Sequence, residues 1–212
     1  PLALKNQRLL YDLLFDTASS TLLTIARDPK HLGAQIGFTA VLHTWAQNLM
    51  FHPHLHCVVT AGGLSLDGES FVAARKDYFL PVKVLAALFR GRFLGALKRH
   101  WQKGSLRLEG STQELVDPQA WQLFVHSLRQ KKWVVYAKPP FGGKEHVFRY
   151  LGGYTHRIGI SNHRLLAIDD HQVTFRVRDP TDPARSLKLR LDGPEFLRRF
   201  LLHVLPRGFP RI

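Results

Sequence analysis

Residues 35–60 read QIGFTAVLHTWAQNLMFHPHLHCVVT. Gln35 to Trp45 is rich in Ile, Phe, Val and Thr, residues that suit a pleated strand. A polar-to-aromatic bend follows at Asn48 to Pro53. Leu55 to Thr60 then reads as a second strand, stopped by Ala61-Gly62-Gly63. Together they predict an antiparallel hairpin with a longer loop. Residues two apart on a strand point the same way, so His54 and His56 aim two imidazoles at one point. With the turn centred near Leu49-Met50, positions summing to about 99 face each other, and His43 sits opposite His56. Gln47 and His52 are alternatives for a third ligand, because a one-residue slip turns His43 away. A single histidine is ordinarily a hydrogen-bonded or surface group. His-x-His on a strand with a third histidine upstream favours a metal site, without fixing the metal or the reaction.

Outward from this hairpin, leucines at helical spacing predict a helix over Asn6 to Arg27, ended by Asp28-Pro29. Ser70 to Ala74 reads as a short strand and Pro81 to Trp101 as a helix with a basic end. Asp117-Pro118 reads as an N-cap with proline at the first helical position, opening a helix to about Arg129. Lys132 to Lys138 reads as a strand, 139–143 as a loop, and Glu145 to about Arg157 as a helix that tolerates Gly152-Gly153. Val173 to Arg178 and Ser186 to Leu191 alternate. Val173, Phe175, Val177 and Leu187, Leu189, Leu191 face a core, while Arg176, Arg178, Lys188 and Arg190 lie opposite. Pro194 to Leu205 closes the chain as an amphipathic helix. The whole, 1–212, reads as one α+β domain around a central, mainly antiparallel sheet flanked by helices.

Charge narrows the partner. Thirty Lys and Arg face sixteen Asp and Glu, a net charge of +14, with pI near 10.4. That surplus favours a polyanion, because phosphate contacts release counterions. No segment reads as a basic amphipathic helix for a membrane surface, no apolar run reaches the ~18 residues of a span, and no secretory leader precedes the first helix. Cys57 is the only cysteine, which excludes a disulfide framework and a cysteine zinc site and fits a reducing cytoplasm. The chain opens on Pro1 and stops at Arg211-Ile212, and reads as a piece of a longer protein.

Tyr150 and Tyr154 are four apart and share a helix face. Two such aromatics are ordinarily core or surface residues. Here Arg149, His156 and Arg157 flank them, and Lys138 and Lys144 precede them. A phenol among cations loses its proton more readily, and those cations would ligate phosphate.

These residues carry a family likeness. His43-Thr44-Trp45-x-Gln47-x-Leu49-x-x-His52-Pro53-His54-Leu55-His56, with Gly62-Gly63-Leu64 after it, resembles the histidine motif of HUH-type two-tyrosine rolling-circle transposases, a bacterial insertion-sequence group related to Helitrons. Residues 137–143 are similar to the run that precedes that family's tyrosines. Tyr150-Leu151-Gly152-Gly153-Tyr154-Thr155-His156-Arg157 resembles the tyrosine motif, and residues 195–206 its C-terminal helix. The resemblance implies an HUH-nuclease core of the ferredoxin or RRM-like kind and a cytoplasmic bacterial enzyme. Its substrate would be single-stranded DNA at transposon ends and target. His54, His56 and His43 would hold Mg2+ or Mn2+, and Tyr150 or Tyr154 would attack phosphorus to give a 5′-phosphotyrosine. Arg149, Arg157, Lys138 and Lys144 would bind DNA. Two departures stand out: the family's N-terminal Cys-rich zinc-binding region has no counterpart, and Gly153 occupies a position where a basic residue is expected. Two other classes fit parts of the pattern. His-x-His alone suits a hydrolase that activates water, and charge alone suits a non-catalytic DNA-binding fragment.

Overall fold

The computed structural model describes residues 1–75, 79–141, 143–155, 159–179, 181–182, 184–210 and 212, with only the backbone at 154 and 155. Two compact units emerge, 1–40 with 57–142 and 41–56 with 143–212. Helices and two antiparallel three-stranded sheets make it α+β, with the strands shared between sheets of order β1-β2-β3 and β4-β5-β6.

In the first unit, α1 (Leu2–Lys5) and α2 (Gln7–Arg27) precede β1 (Ala34–Trp45). Then come β2 (Phe51–Ser65), β3 (Phe71–Ala73), α3 (Val82–Gln102), a 3-10 segment Gly110–Val116 and α4 (Pro118–Gln130). β1 and β2 each contribute residues to both units. Leu10 and Leu13 of α2 pack with Ala96 and Leu97 of α3, Leu115 and Trp121. Trp101 stacks on Trp121 with ring centroids 5.1 Å apart. Asp117 caps α4 through Ala120 N–H at 2.8 Å, with Pro118 inside the first turn, so the expected cap is present.

By length and composition α2 is apolar enough to cross a membrane, which corrects the reading that no run reaches that length. Its window passes because Asp12 and Asp16 are few among the leucines and alanines. In the structure Leu10, Tyr11, Leu13, Thr17, Thr21, Ile25 and Ala26 are buried on protein neighbours.

Two further expectations need correcting. Ala61-Gly62-Gly63 does not stop β2, which runs through to Ser65 and pairs Gly62 with Ala73 and Gly63 with Val72. A Cβ at Gly63 would clash with the Gln35 carbonyl, and one at Gly62 (φ 146°) with the Val72 carbonyl. These glycines therefore allow backbones to approach closely inside a sheet. Lys132 to Lys138 forms no strand. Its alternation survives, with Trp133 packed on Phe89 and Phe93 and Val135 on a core cluster while Val134 and Tyr136 are exposed, but among the described residues it joins neither sheet.

The second unit carries α5 (Lys144–Thr155), β4 (Leu165–Ile168), β5 (Gln172–Arg178), β6 (Ser186–Asp192) and α6 (Gly193–Leu201). β5 and β6 pair in the register Val173↔Leu191, Phe175↔Leu189, Val177↔Leu187, so the expected apolar faces coincide. Leu49, Ile160, Val173 and Phe175 form the buried centre, with Phe196 and Phe200 of α6 packed against it. Phe175 is fully buried. Its truncation to alanine should cost about 3–5 kcal/mol by the loss of transfer energy and the cavity left behind. Urea unfolding of Phe175→Ala, with a midpoint unmoved from wild type, would contradict this packing.

Candidate metal centre and tyrosine

The loop from Ala46 to Met50 joins β1 to β2 and closes with Ala46 N–H donating to Met50 O at 2.9 Å. That bond centres the turn on Asn48, slightly earlier than the sequence spacing suggests. Leu49 has φ of 61°, unusual for a residue other than glycine. Its side chain is completely buried in the β4-β5-β6 core. Three successive carbonyls of this turn receive side-chain donors from later in the chain. Arg164 donates to Gln47 O, Arg199 Nη1 to Asn48 O at 3.1 Å, and His203 Nε2 to Leu49 O at 3.0 Å. A Cβ at Gly159 would meet Leu49 at 3.2 Å and His203 at 3.5 Å, which explains a glycine there. His203 Nε2 must carry its proton to donate, so Nδ1 accepts from the Thr44 hydroxyl at 3.2 Å. Burial holds the His203 pKa below its ordinary value, against the raising effect of the Leu49 and Thr44 backbone.

Beyond this turn, β1 and β2 bring three histidines together. The ligating nitrogens of His43, His54 and His56 all lie within 4.8 Å of one another. His43 is buried, stacked on Trp45 with centroids 4.6 Å apart, and its ring centroid is 4.4 Å from that of His56. His54 Nδ1 lies 2.7 Å from His52 O. A carbonyl only accepts, so Nδ1 bears the proton and Nε2 presents its lone pair. His54 Nε2 and His56 Nε2 are 3.1 Å apart. Two imidazoles on one ion, at bonds of ~2.0–2.1 Å, have nitrogens separated by roughly 3.0–3.4 Å. The donors therefore fit a metal ion, which the three histidines could hold. Burial also pushes the His54 pKa down, outweighing the raising effect of the His52 carbonyl, and favours the neutral ring that a ligand must be.

The alternatives for the third position are turned to other contacts. His52 is exposed and its carbonyl orients His54. Gln47 lines a cavity with Arg164, Arg176, Arg178 and Arg185. Cys57, next in sequence to His56, has its thiol pushed up to about 11 by burial and stays protonated.

Tyr150 stands on α5, with its hydroxyl 3.2 Å from His56 Nδ1. The same imidazole thus faces His54 through Nε2 and the phenol through Nδ1. Arg149 and Lys144 are exposed on α5. A Cβ at Gly152 or Gly153 would meet nothing within 4 Å, so this stretch of α5 is open. Lys138 is exposed in the first unit. The Tyr154 side chain and Arg157 lie outside the described residues. Sequence reading did not single out Arg164, Arg199 or His203, because a backbone carbonyl leaves no mark on residue identity for a distant donor to match.

Comparison with known proteins sets these motifs in a family. The family model Y2_Tnp, described as "Putative transposase", matches residues 37–212. The chain belongs to this transposase family. It is 50% identical over 211 residues to the "Putative transposase y4qJ" of Sinorhizobium fredii, a match that covers 100% of the chain and 53% of that relative. It is also 43% identical over 68 residues to the "Transposase for insertion sequence element IS801" of Pseudomonas savastanoi pv. phaseolicola, covering 32% of the chain and 16% of that protein. The chain thus spans about half the length of the first relative. No solved structure matches it. The family recognised from the histidine and tyrosine motifs is the one found.

Cobalt(II) titration should give visible d–d absorption that saturates near about one equivalent. His54→Ala and His56→Ala should each abolish it. Because burial lowers the His54 pKa, binding should weaken on acidification only as pH falls through that depressed value. A second prediction concerns His203. Its folded pKa lies below the unfolded value of about 6.5, so its contribution to stability is complete above that pH and declines as pH falls through the folded value. Urea melts between pH 8 and pH 5 should show a shallower pH dependence for His203→Gln than for wild type; equal slopes would contradict the neutral assignment.

Proposed function

We propose that this chain is the catalytic part of a metal-dependent DNA-nicking and strand-transfer enzyme, working in rolling-circle transposition through a 5′-phosphotyrosine. The single observation that carries this reading is the continuous line from His54 Nε2 to His56 Nε2 at 3.1 Å and from His56 Nδ1 to the Tyr150 hydroxyl at 3.2 Å. Membership of the transposase family and the net charge of +14 support DNA as the substrate.

His54, His56 and His43 would hold a divalent cation. When bound, that ion neutralises charge on the non-bridging oxygens of the scissile phosphate. Three nitrogen donors suit Mn2+ better than Mg2+, which prefers oxygen ligands. With its Nε2 lone pair given to such an ion, His56 would carry its ring proton on Nδ1 and direct it at the Tyr150 oxygen. That hydrogen bond favours the phenolate. The Tyr150 proton passes to solvent, the phenolate oxygen attacks phosphorus, a Tyr–O–P bond forms, and the bond from phosphorus to the 3′ oxygen breaks. The departing 3′ oxygen takes a proton from solvent and leaves as a hydroxyl. The ester on tyrosine keeps the phosphodiester reactive for rejoining. Tyr154 would serve a second transfer. Arg149, Lys144, Lys138 and Arg157 would contact flanking phosphates. The protein acts in the cytoplasm on single-stranded transposon ends and target.

The test is covalent trapping of labelled single-stranded DNA on a denaturing gel with Mn2+. Wild type forms an adduct, Tyr150→Phe reduces it, and the Tyr150→Phe/Tyr154→Phe pair abolishes it. Persistence of the adduct in the double variant would remove the tyrosine assignment. Turnover without any adduct would point to a hydrolase that activates water, and binding without cleavage to a DNA-binding fragment.

A further inference from the structure

We infer that the outward face of the β4-β5-β6 sheet is a second DNA contact surface, one that reads the phosphodiester backbone rather than the bases. The inference rests on the proposed reading in taking DNA as the partner, and extends it to a site outside the histidine and tyrosine cluster.

The sheet is two-sided in an unusual way. Its inner face is apolar and buried against α6. On its outer face, β5 and β6 place Arg176 directly opposite Lys188, Arg178 opposite Ser186 and Arg190 opposite Thr174. Like charges directly opposite each other across strands repel and destabilise the pair. Arg185, in the connection between these strands, adds another cation. Arg176, Arg178, Arg185 and Lys188 are all exposed, and among the described residues none of the four makes an ion pair. Arg190 differs, because Asp169 lies near enough to feel its charge.

Part of this face is concave. A cavity of about 210 Å³ is lined by Arg164, Arg176, Arg178 and Arg185 together with Gln47, Val177, Ala184 and Ser186, and no carboxylate lines it. Arg164 already serves structure there, donating to Arg176 O and Gln47 O. The remaining guanidiniums are left to face an external anion. The outer positions of β5 and β6 hold Thr, Ser, Gln, Arg and Lys, with one carboxylate, Asp192, engaged by Gln172 at the end of the ladder away from Arg178, and no aromatic ring on which a base could stack. The ligand this surface suits is therefore a chain of phosphates, and its contact is independent of sequence. The cavity reaches Gln47 in the turn that carries the histidine strands, so DNA held here would run toward the β1–β2 hairpin.

The experiment is equilibrium binding of a fluorescent oligothymidylate of ~20 nucleotides, without divalent metal, across a salt series. The patch variant is Arg176→Gln/Arg178→Gln/Arg185→Gln/Lys188→Gln. The control removes equal charge from exposed positions of the other unit, Lys83→Gln/Lys98→Gln/Lys131→Gln/Lys132→Gln. Each lost phosphate contact lowers the slope of log K against log salt by about 0.7 for single strands. The patch variant should lose roughly 2–3 in slope and the control less than about 1. Equal losses would mean that net charge alone matters, and no loss would mean that DNA does not touch this face; either result overturns the inference. If the fourfold variant fails to fold, Lys188→Glu replaces it. This substitution turns the repulsive pair with Arg176 into an attractive one, so it should melt no lower than wild type while still reducing the slope. Because the readout needs no cleavage, an enzyme that forms the tyrosine adduct but shows an unchanged slope in the variants refutes only this surface. A shifted slope without any adduct refutes only the nicking reaction.

Discussion

The histidine cluster sits beside a turn whose own hydrogen bonds, Ala46 N–H to Met50 O and Leu49 N–H to Ala46 O, leave three carbonyls to be met from elsewhere. Gln47, Asn48 and Leu49 offer three carbonyls in a row, and Arg164, Arg199 and His203 each take one. A turn with these groups free to water would let β1 and β2 fray from the very end that presents His43, His54 and His56. Leu49 adds an apolar anchor in a backbone conformation that costs roughly 1–2 kcal/mol for a side-chain-bearing residue. Complete burial of a leucine side chain, worth roughly 1.5–3 kcal/mol, offsets that cost. Arg199 is itself steadied by Glu195 at 2.7 Å, whose carboxyl is held down at about 2 by hydrogen bonds from Arg198 and Arg199.

On this frame His54 is oriented by backbone rather than by a carboxylate. The His52 carbonyl fixes the tautomer of His54, and the chain needs no acidic partner for it. A carbonyl raises the basicity of a ligating ring less than an anion does, so His54 remains easy to deprotonate while still well aimed. His56, two residues on, reaches the phenol of Tyr150. Any charge drawn toward its Nε2 side is felt directly at the hydroxyl on the other side of the ring.

Much of this was legible in residue order. The closeness of His54 and His56 follows from the two-residue period of a strand, the start of α4 from Asp117-Pro118, and the β5–β6 faces from strict alternation. Other parts were not legible, for physical reasons. Gly62-Gly63 looks like punctuation, because sequence does not say whether a glycine bends a chain or admits a neighbouring backbone. Trp133 to Tyr136 alternates like a strand but among the described residues joins neither sheet, and partnership is a tertiary fact. Leu165–Ile168 is too short and uniformly apolar to declare itself as β4. The turn is held by residues more than a hundred positions away, acting on atoms that every residue possesses. The approach of Tyr150 to His56 had no periodic signal either; only the likeness of motifs pointed there.

The way Leu49 is anchored has a consequence for biosynthesis. The turn's partners Gly159, Arg199 and His203 come late in the chain, with separations of 151 between Asn48 and Arg199 and 154 between Leu49 and His203. A nascent polypeptide that has emerged only as far as the tyrosine helix already contains every histidine of the cluster but none of the late donors that meet the carbonyls of the turn beside it. Contacts so distant close late and slowly. Alignment of the histidine-bearing turn is thus tied to completion of the C-terminal sheet and helix, so a prematurely terminated product would carry the three histidines and Tyr150 without the contacts that steady the turn.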